Sequence, residues 1–237
     1  MTEEHKKSKT LWKSKLGNAT ERFNSVGNEQ KQQRSRTRRS EILKAAVHVF
    51  AREGIAGARI ADIAAQAGVP VSSVYDYFTD KEAVANALPV AHMTQFFQEF
   101  SDAAEKKSSA MERLRLYLWL TVDFARRHPE WARTLYLEIW PSVVMEKAEL
   151  RASFDDFSQI LIELIHDGER LGEWSKDPAP YQTATIFTGA ITQSIVTWLL
   201  YHNPRDIMKA TGSLIDRLLL LLNTEKAKSV KKLATRS

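Results

Sequence analysis

Residues 58–78 read Ala58-Arg-Ile-Ala-Asp-Ile-Ala-Ala-Gln-Ala-Gly-Val-Pro-Val-Ser-Ser-Val-Tyr-Asp-Tyr-Phe78. Apolar residues recur at Ile60, Ile63, Ala64 and Ala67, and again at Val71, Val74, Tyr75 and Phe78, which is the spacing of two short helix faces. Gly68 between them suits the left-handed conformation that ends a helix. Val69 is placed to fold back as an apolar plug, and Pro70 has the fixed φ of a first helical turn. Helices this short are not stable alone. A partner is available upstream: Arg38–Glu53 carries Ile42, Ala46, Val49 and Phe50 on one face and stops at Gly54. The spacing predicts a helix-turn-helix with Val71, Val74, Tyr75 and Phe78 inward, and Ser72, Ser73, Asp76 and Tyr77 outward. A helical hairpin with a serine-rich exposed face shares this pattern.

Helical periodicity extends from Arg38 to Leu222 with short breaks, and no alternating strand pattern interrupts it. A fourth helix starts at Lys81 and should kink or break at Pro89. Ala110–Arg127, Pro129–Trp140, Val143–Leu171, Pro180–Tyr201 and Pro204–Leu222 follow. The expected fold is all-α, with an N-terminal three-helix helix-turn-helix domain at 37–88 and a larger helical domain at 89–222. Residues 1–36 are expected to form a disordered basic arm, and 223–237 a basic tail.

The net charge of +5 is unevenly spread. Residues 1–39 carry +7 and 223–237 carry +4, leaving −6 on the middle of the chain. Basic ends on an acidic body point to a polyanion, DNA first, with solubilising tails as the alternative. The absence of cysteine removes disulfides and thiolate metal sites and fits a cytoplasmic location. The uncharged run Pro178–Pro204 has the length of a membrane span. It holds Gln182, Thr183, Thr185, Gln193, Ser194 and His202, costly groups in lipid, so a buried helix with no membrane role is expected.

Residues 38–88 resemble the N-terminal domain of TetR-family transcriptional regulators. The resemblance is carried by Arg39, Ile42-Leu43, Ala45-Ala46, Phe50, Gly54, Asp62-Ile63-Ala64, Ala67-Gly68-Val69, Val74-Tyr75, Tyr77-Phe78 and Lys81-Glu82, in order and at the family's spacing. It implies double-stranded operator DNA as partner, with Arg39, Arg59, Ser72, Ser73, Tyr75, Tyr77 and Lys81 at or near it. Tyr75 is expected in the core with its hydroxyl reaching a phosphate, and Tyr77 and Lys81 on phosphates. Ala58 stands where a capping Thr or Ser is common, so Gly57 is the expected cap. Asp76 puts a negative charge on the recognition face, where it can accept from a cytosine amino group.

The resemblance also implies a homodimer and an effector pocket in the larger domain. The last two helices, with Ile191, Ile195, Leu199, Leu214 and Leu218 among their apolar residues, offer more apolar surface than one core needs, which independently suggests a second subunit. Trp119, Asp123, Trp140, Gln193 and Trp198 are the candidate pocket residues, for a small hydrophobic or aromatic effector. Each has a plainer reading: the tryptophans as packing, Asp123 as an Arg127 partner, Gln193 as a link to a neighbouring helix. No cofactor or metal is called for. His48, His92, His128, His166 and His202 are scattered without ligand spacing, and no phosphate loop or nucleophile motif occurs, which argues against an enzyme. The expected function is a ligand-responsive repressor. An effector-free nucleoid-associated or division-linked protein of the same fold is the alternative.

Overall fold

The computed structural model describes residues 29–141, 148–176 and 179–222. The described residues are helical and contain no strand. In chain order the elements are α1 (Glu29–Gly57), α2 (Ile60–Ala67), α3 (Val71–Tyr75), α4 (Lys81–Ala104), α5 (Ala110–Arg127) and α6 (Pro129–Arg133). A wider π turn (Thr134–Ile139), α7 (Ala148–Arg170), α8 (Pro180–Tyr201), α9 (Ile207–Leu219) and a 3-10 turn (Leu220–Leu222) follow.

The chain packs as two compact units. Among the described residues, one comprises 29–97, 124–141 and 148–155; the other comprises 98–123, 156–176 and 179–222. The 129–139 segment packs on α1. There the Ile55 amide donates to the Glu138 carboxylate at 3.4 Å.

In the first unit α1 packs on α2, and α2 on α3. Ile42, Ala46, Val49, Phe50, Ile63, Ala64, Val74 and Phe78 are all buried. Gly68 ends α2 at φ 66°, ψ 35°, and the Val69 amide donates to the Ala64 carbonyl at 3.0 Å. A side chain there would meet the left-handed penalty of roughly 1–2 kcal/mol. Pro70 sits one position before α3, in extended backbone, so Val71 opens that helix.

Three expectations need correction. α1 begins at Glu29, so residues 29–36 are helical and not part of a disordered arm. The arm before them and the tail at 223–237 lie outside the described residues, as do the first residues of the expected Val143–Leu171 helix. α4 runs unbroken through Pro89. Buried Val84, Ala85, Leu88 and Met93 flank the proline, and that packing offsets the single lost backbone hydrogen bond. Leu218 is only 7% exposed within the protomer, so it belongs to the chain's own core.

In the second unit, α9 packs on α8. Tyr117 Oη donates to the Phe157 carbonyl at 3.0 Å, and the Glu173 carboxylate accepts from the Ala110 and Met111 amides at 2.6 and 2.9 Å, satisfying the first turn of α5. Arg113 and Asp167 form a fully buried pair at 3.3 Å. Trp174 folds back over Gly168 and donates from Nε1 to the Ile165 carbonyl at 3.1 Å. α8 is long and apolar enough to cross a membrane by length and composition alone. Only one side is buried, through Ala184, Phe187, Ile191, Ile195 and Leu199.

A methyl group at Gly168 would lie inside the van der Waals envelope of the Trp174 ring. Gly168→Ala should therefore destabilise the protein by roughly 1–3 kcal/mol through overpacking. The check is urea unfolding: an unchanged midpoint would mean that the ring moves aside freely.

Candidate nucleic-acid interface

The orientation of α3 follows from its inward pair. Val74 and Phe78 are four residues apart, on one face, and both are buried. Measured from Val74, Phe78 lies about 40° round the helix, Val71 about 60° and Tyr75 about 100°, all in the same sense. The latter two turn out to be solvent-facing, Tyr75 at 55% exposure and Val71 at 42%. The outward face is thus Val71, Ser72, Tyr75 and Asp76, whereas Ser73 and Tyr77 are half-buried. The inward placement of Val71 and Tyr75 is overturned. With α3 only five residues long, two apolar anchors suffice to hold it.

The basic residues are more engaged than their sequence positions suggest. Arg59 is the N-cap position of α2, without a side-chain cap, so Gly57 does not fill that role. Its guanidinium grips Asp62 with two bonds of 2.8 Å, Nε to one oxygen and Nη2 to the other. That hydrogen bond is the main cause holding the Asp62 carboxyl below its ordinary range, and it raises Arg59 in turn. Even so, the Arg59 side chain is 77% exposed, oriented by Asp62 and open to a phosphate. The Arg39 guanidinium lies 5.2 Å from the Phe78 ring centroid, a cation–π contact tying α1 to the end of the α3 segment.

Lys81 differs from expectation. Its Nζ donates to the Ala56 carbonyl at 2.6 Å and the Ala58 carbonyl at 3.1 Å. The N-terminus of α4 is capped instead by Asp80, whose Oδ1 accepts from the Ala83 amide at 2.6 Å. Lys81 therefore fastens the turn between α1 and α2 to the start of α4. This turn carries Arg59, so the lysine positions the interface from behind.

Residues 42–88 match the family described as bacterial regulatory proteins, tetR family. The HTH-type transcriptional repressor NicS of Pseudomonas putida is 31% identical over 155 residues, 62% of this chain and 69% of that protein. The chain belongs to the TetR family. Another relative, the fatty acid metabolism regulator protein of Bacillus subtilis, is 24% identical over 178 residues, 75% of this chain and 92% of that one. The crystal structure of the transcriptional regulator FadR from Bacillus subtilis in complex with stearoyl-CoA superposes with a TM-score of 0.69 at 25% identity, covering 76% of this chain and 96% of that chain. As a TetR-family protein, this chain is a helix-turn-helix, DNA-binding transcriptional regulator.

The five expected effector residues differ in their exposure. Trp119 is 40% exposed and Trp140 is 41% exposed. Gln193 is at the surface, donating to Thr197 Oγ1 at 3.2 Å, Trp198 is half-buried, and Asp123 is buried. A cleft of about 370 Å³ does occur in the first unit. It is lined by Lys44, Val47 and His48 of α1, His92 of α4, and the corner from Arg127 to Trp131. Sequence reasoning passed over it because its residues come from three separate stretches, each reading as an ordinary helix or break. The one cue was the histidine content: His48, His92 and His128 all line it.

The cleft wall is an aromatic stack. His92 lies on Trp131, centroids 5.2 Å apart and planes 21° from parallel, and meets Phe124 and His128 edge-on. His92 Nδ1 lies 3.2 Å from the Leu88 carbonyl, as a donor when protonated. Burial is the largest influence on His92 and lowers it to about 4, so it is neutral near pH 7. At the rim His48 Nδ1 lies 2.5 Å from Glu130 Oε2. Trp131 Nε1 is buried without a hydrogen-bond partner among the described residues, at a cost on the order of 1–3 kcal/mol.

The depressed His92 value sets a sign for acid stability. In the unfolded chain this imidazole takes up a proton below about pH 6.5, whereas in the folded protein it resists until about 4. Its contribution is therefore present above 6.5 and lost as pH falls through that window. Between pH 7 and pH 5 the protein should lose on the order of 2 kcal/mol that a His92→Gln variant does not lose. Chemical denaturation at the two pH values reads this directly; parallel losses in both proteins would refute the assignment.

Proposed function

We propose that this regulator binds palindromic operator DNA as a homodimer and is released from it by a fatty acyl thioester or a similarly apolar effector. The observation that carries the DNA reading is the exposed α3 face, Val71, Ser72, Tyr75 and Asp76, on a helix held from behind by buried Val74 and Phe78. A short helix presenting small hydroxyls and one aromatic can enter a major groove. Arg59, Tyr75 and the half-buried Tyr77 take phosphates, Ser72 and Asp76 face base edges, Arg39 and Ser73 support the edge of the interface, and Lys81 braces it. The proposed division of labour assigns 37–88 to DNA and the following helices to dimerisation and effector binding. The place of action is the cytoplasm.

The effector class rests on the FadR–stearoyl-CoA complex among the relatives. A ligand releases DNA only by its differential affinity for two states: moving from 1:99 to 99:1 takes about 5.5 kcal/mol. Trp119, Asp123, Trp140, Gln193 and Trp198 remain candidate effector contacts under this proposal. The dimer reading is supported by α8 and the chain end. Ile186 is 50% exposed, Leu220 64% and Leu221 51%, an apolar surface that a second copy would cover.

In vitro selection should return a palindrome whose half-sites are about 34 Å apart or a multiple of that. On the selected duplex, Arg59→Ala should weaken binding to all sequences and reduce the salt slope by about one. Stearoyl-CoA should lower operator affinity, and operator should lower stearoyl-CoA affinity by the same factor. Random selected sequences would sink the operator reading. An operator affinity indifferent to stearoyl-CoA would sink the effector reading alone.

For the dimer, the informative double variant is Ile186→Glu with Leu220→Glu, since both side chains are exposed in the protomer. Sedimentation should show folded monomers with weakened operator binding. An unaltered dimer would place the interface elsewhere.

A further inference from the structure

Building on the phosphate contact read for Arg59, we propose that Glu138 is a positioning residue for DNA binding: from outside the helix-turn-helix it caps the turn that presents Arg59. α1 kinks at Gly54, with φ 69° and ψ 164°, a backbone region open essentially to glycine alone. After the kink the chain makes one more turn, closed by the Ala58 amide donating to the Gly54 carbonyl at 3.2 Å. Such a turn starts with backbone N–H groups that have no partner within it. One of them, the Ile55 amide, donates to Glu138 Oε2 at 3.4 Å, across 83 residues of sequence. The carboxylate lies directly over the kink, where a Cβ at residue 54 would touch Oε2 at 3.4 Å. Negative charge is favoured at this end of a helical turn.

The other end of the same turn is held by the opposite charge. Lys81 Nζ donates to the carbonyls of Ala56 and Ala58, at 2.6 and 3.1 Å. Gly54 to Ala58 is thus gripped by an anion at its amide end and a cation at its carbonyl end, both supplied from elsewhere in the chain. Arg59 comes next. Its carbonyl accepts from the Asp62 and Ile63 amides at 3.1 and 3.3 Å, which fixes its backbone to the first turn of α2, and Asp62 holds its side chain outward. Glu138 belongs to the π turn, where the Trp140 amide donates to the Leu135 carbonyl at 2.8 Å. The wider winding changes the bearing at which residue 138 leaves the helix. Without Glu138 the turn keeps one clamp of two. It then opens more often, and DNA affinity falls with the fraction of molecules that present Arg59.

Fluorescence anisotropy with the full chain and a random-sequence duplex tests this without requiring an operator. Glu138→Ala should bind about threefold more weakly, with thermal melting confirming that it is folded. Glu138→Gln keeps an acceptor for the Ile55 amide and should restore most of the affinity. Amide exchange at Ile55 should quicken in the alanine variant and return toward the native rate in the glutamine variant. In an Arg59→Ala background the Glu138→Ala change should cost no further affinity, because the residue it orients is gone. Unchanged amide exchange, a glutamine variant as weak as the alanine one, or a full further loss in the Arg59→Ala background would overturn the proposal. Loss in Arg59→Ala without loss in Glu138→Ala would sink this inference alone. Full affinity in Arg59→Ala would sink the phosphate reading of Arg59, and this inference with it.

Discussion

Helices of eight and five residues do not hold their own backbone hydrogen bonds in water, so α2 and α3 exist only while their apolar faces are covered. The cover is α1, through Ile42, Ala46, Val49 and Phe50, all of them buried with Ile63, Ala64, Val74 and Phe78. This mutual burial is the constraint from which the rest proceeds. It decides which side of α3 faces water, and so which side chains are available to DNA. Ala64 is buried on the same face, and Gly68 turns the chain sharply enough for α3 to return over α2.

The surrounding polar contacts hold this nucleus in register. Arg39 over Phe78 joins the two ends of the DNA-binding segment, and Lys81 clamps the Ala56–Ala58 turn. Asp62 directs Arg59 outward. Each is a positively charged group whose role in a sequence reading defaults to phosphate contact. In the folded protein, one is braced by a carboxylate, one by a ring, and one is spent on backbone carbonyls. Only Arg59 keeps its charge on the exposed side without being turned toward another part of the fold.

The same α1 that covers the recognition helices also packs on α6 and the π turn. Its opposite rim supplies Lys44, Val47 and His48 to the cleft. A single helix thus shares surfaces with the helix-turn-helix elements and with a cleft lined by three histidines and one tryptophan.

Residues 58–78 by themselves determined two short helices about a left-handed glycine, and the apolar face of residues 38–53 with the family resemblance over 38–88 decided for a helix-turn-helix over a plain hairpin. The all-α class, most helix spans and the family resemblance follow from the same local signals, and the functional class with them. The rotation of α3 was not legible: Val71 is as apolar as Val74 and Tyr75 carries a large ring, and only packing shows that two anchors are enough. Nor did the sequence reveal that α4 passes through Pro89, since neighbouring buried side chains outweigh one missing hydrogen bond. The aromatic residues singled out for a pocket, Trp119 and Trp140, are 40% and 41% exposed, while His92 and Trp131 stack in the wall of a cleft. Periodicity reports which side of a helix is apolar, not which other helix meets it. Pairing residues some forty positions apart is a property of the tertiary structure alone.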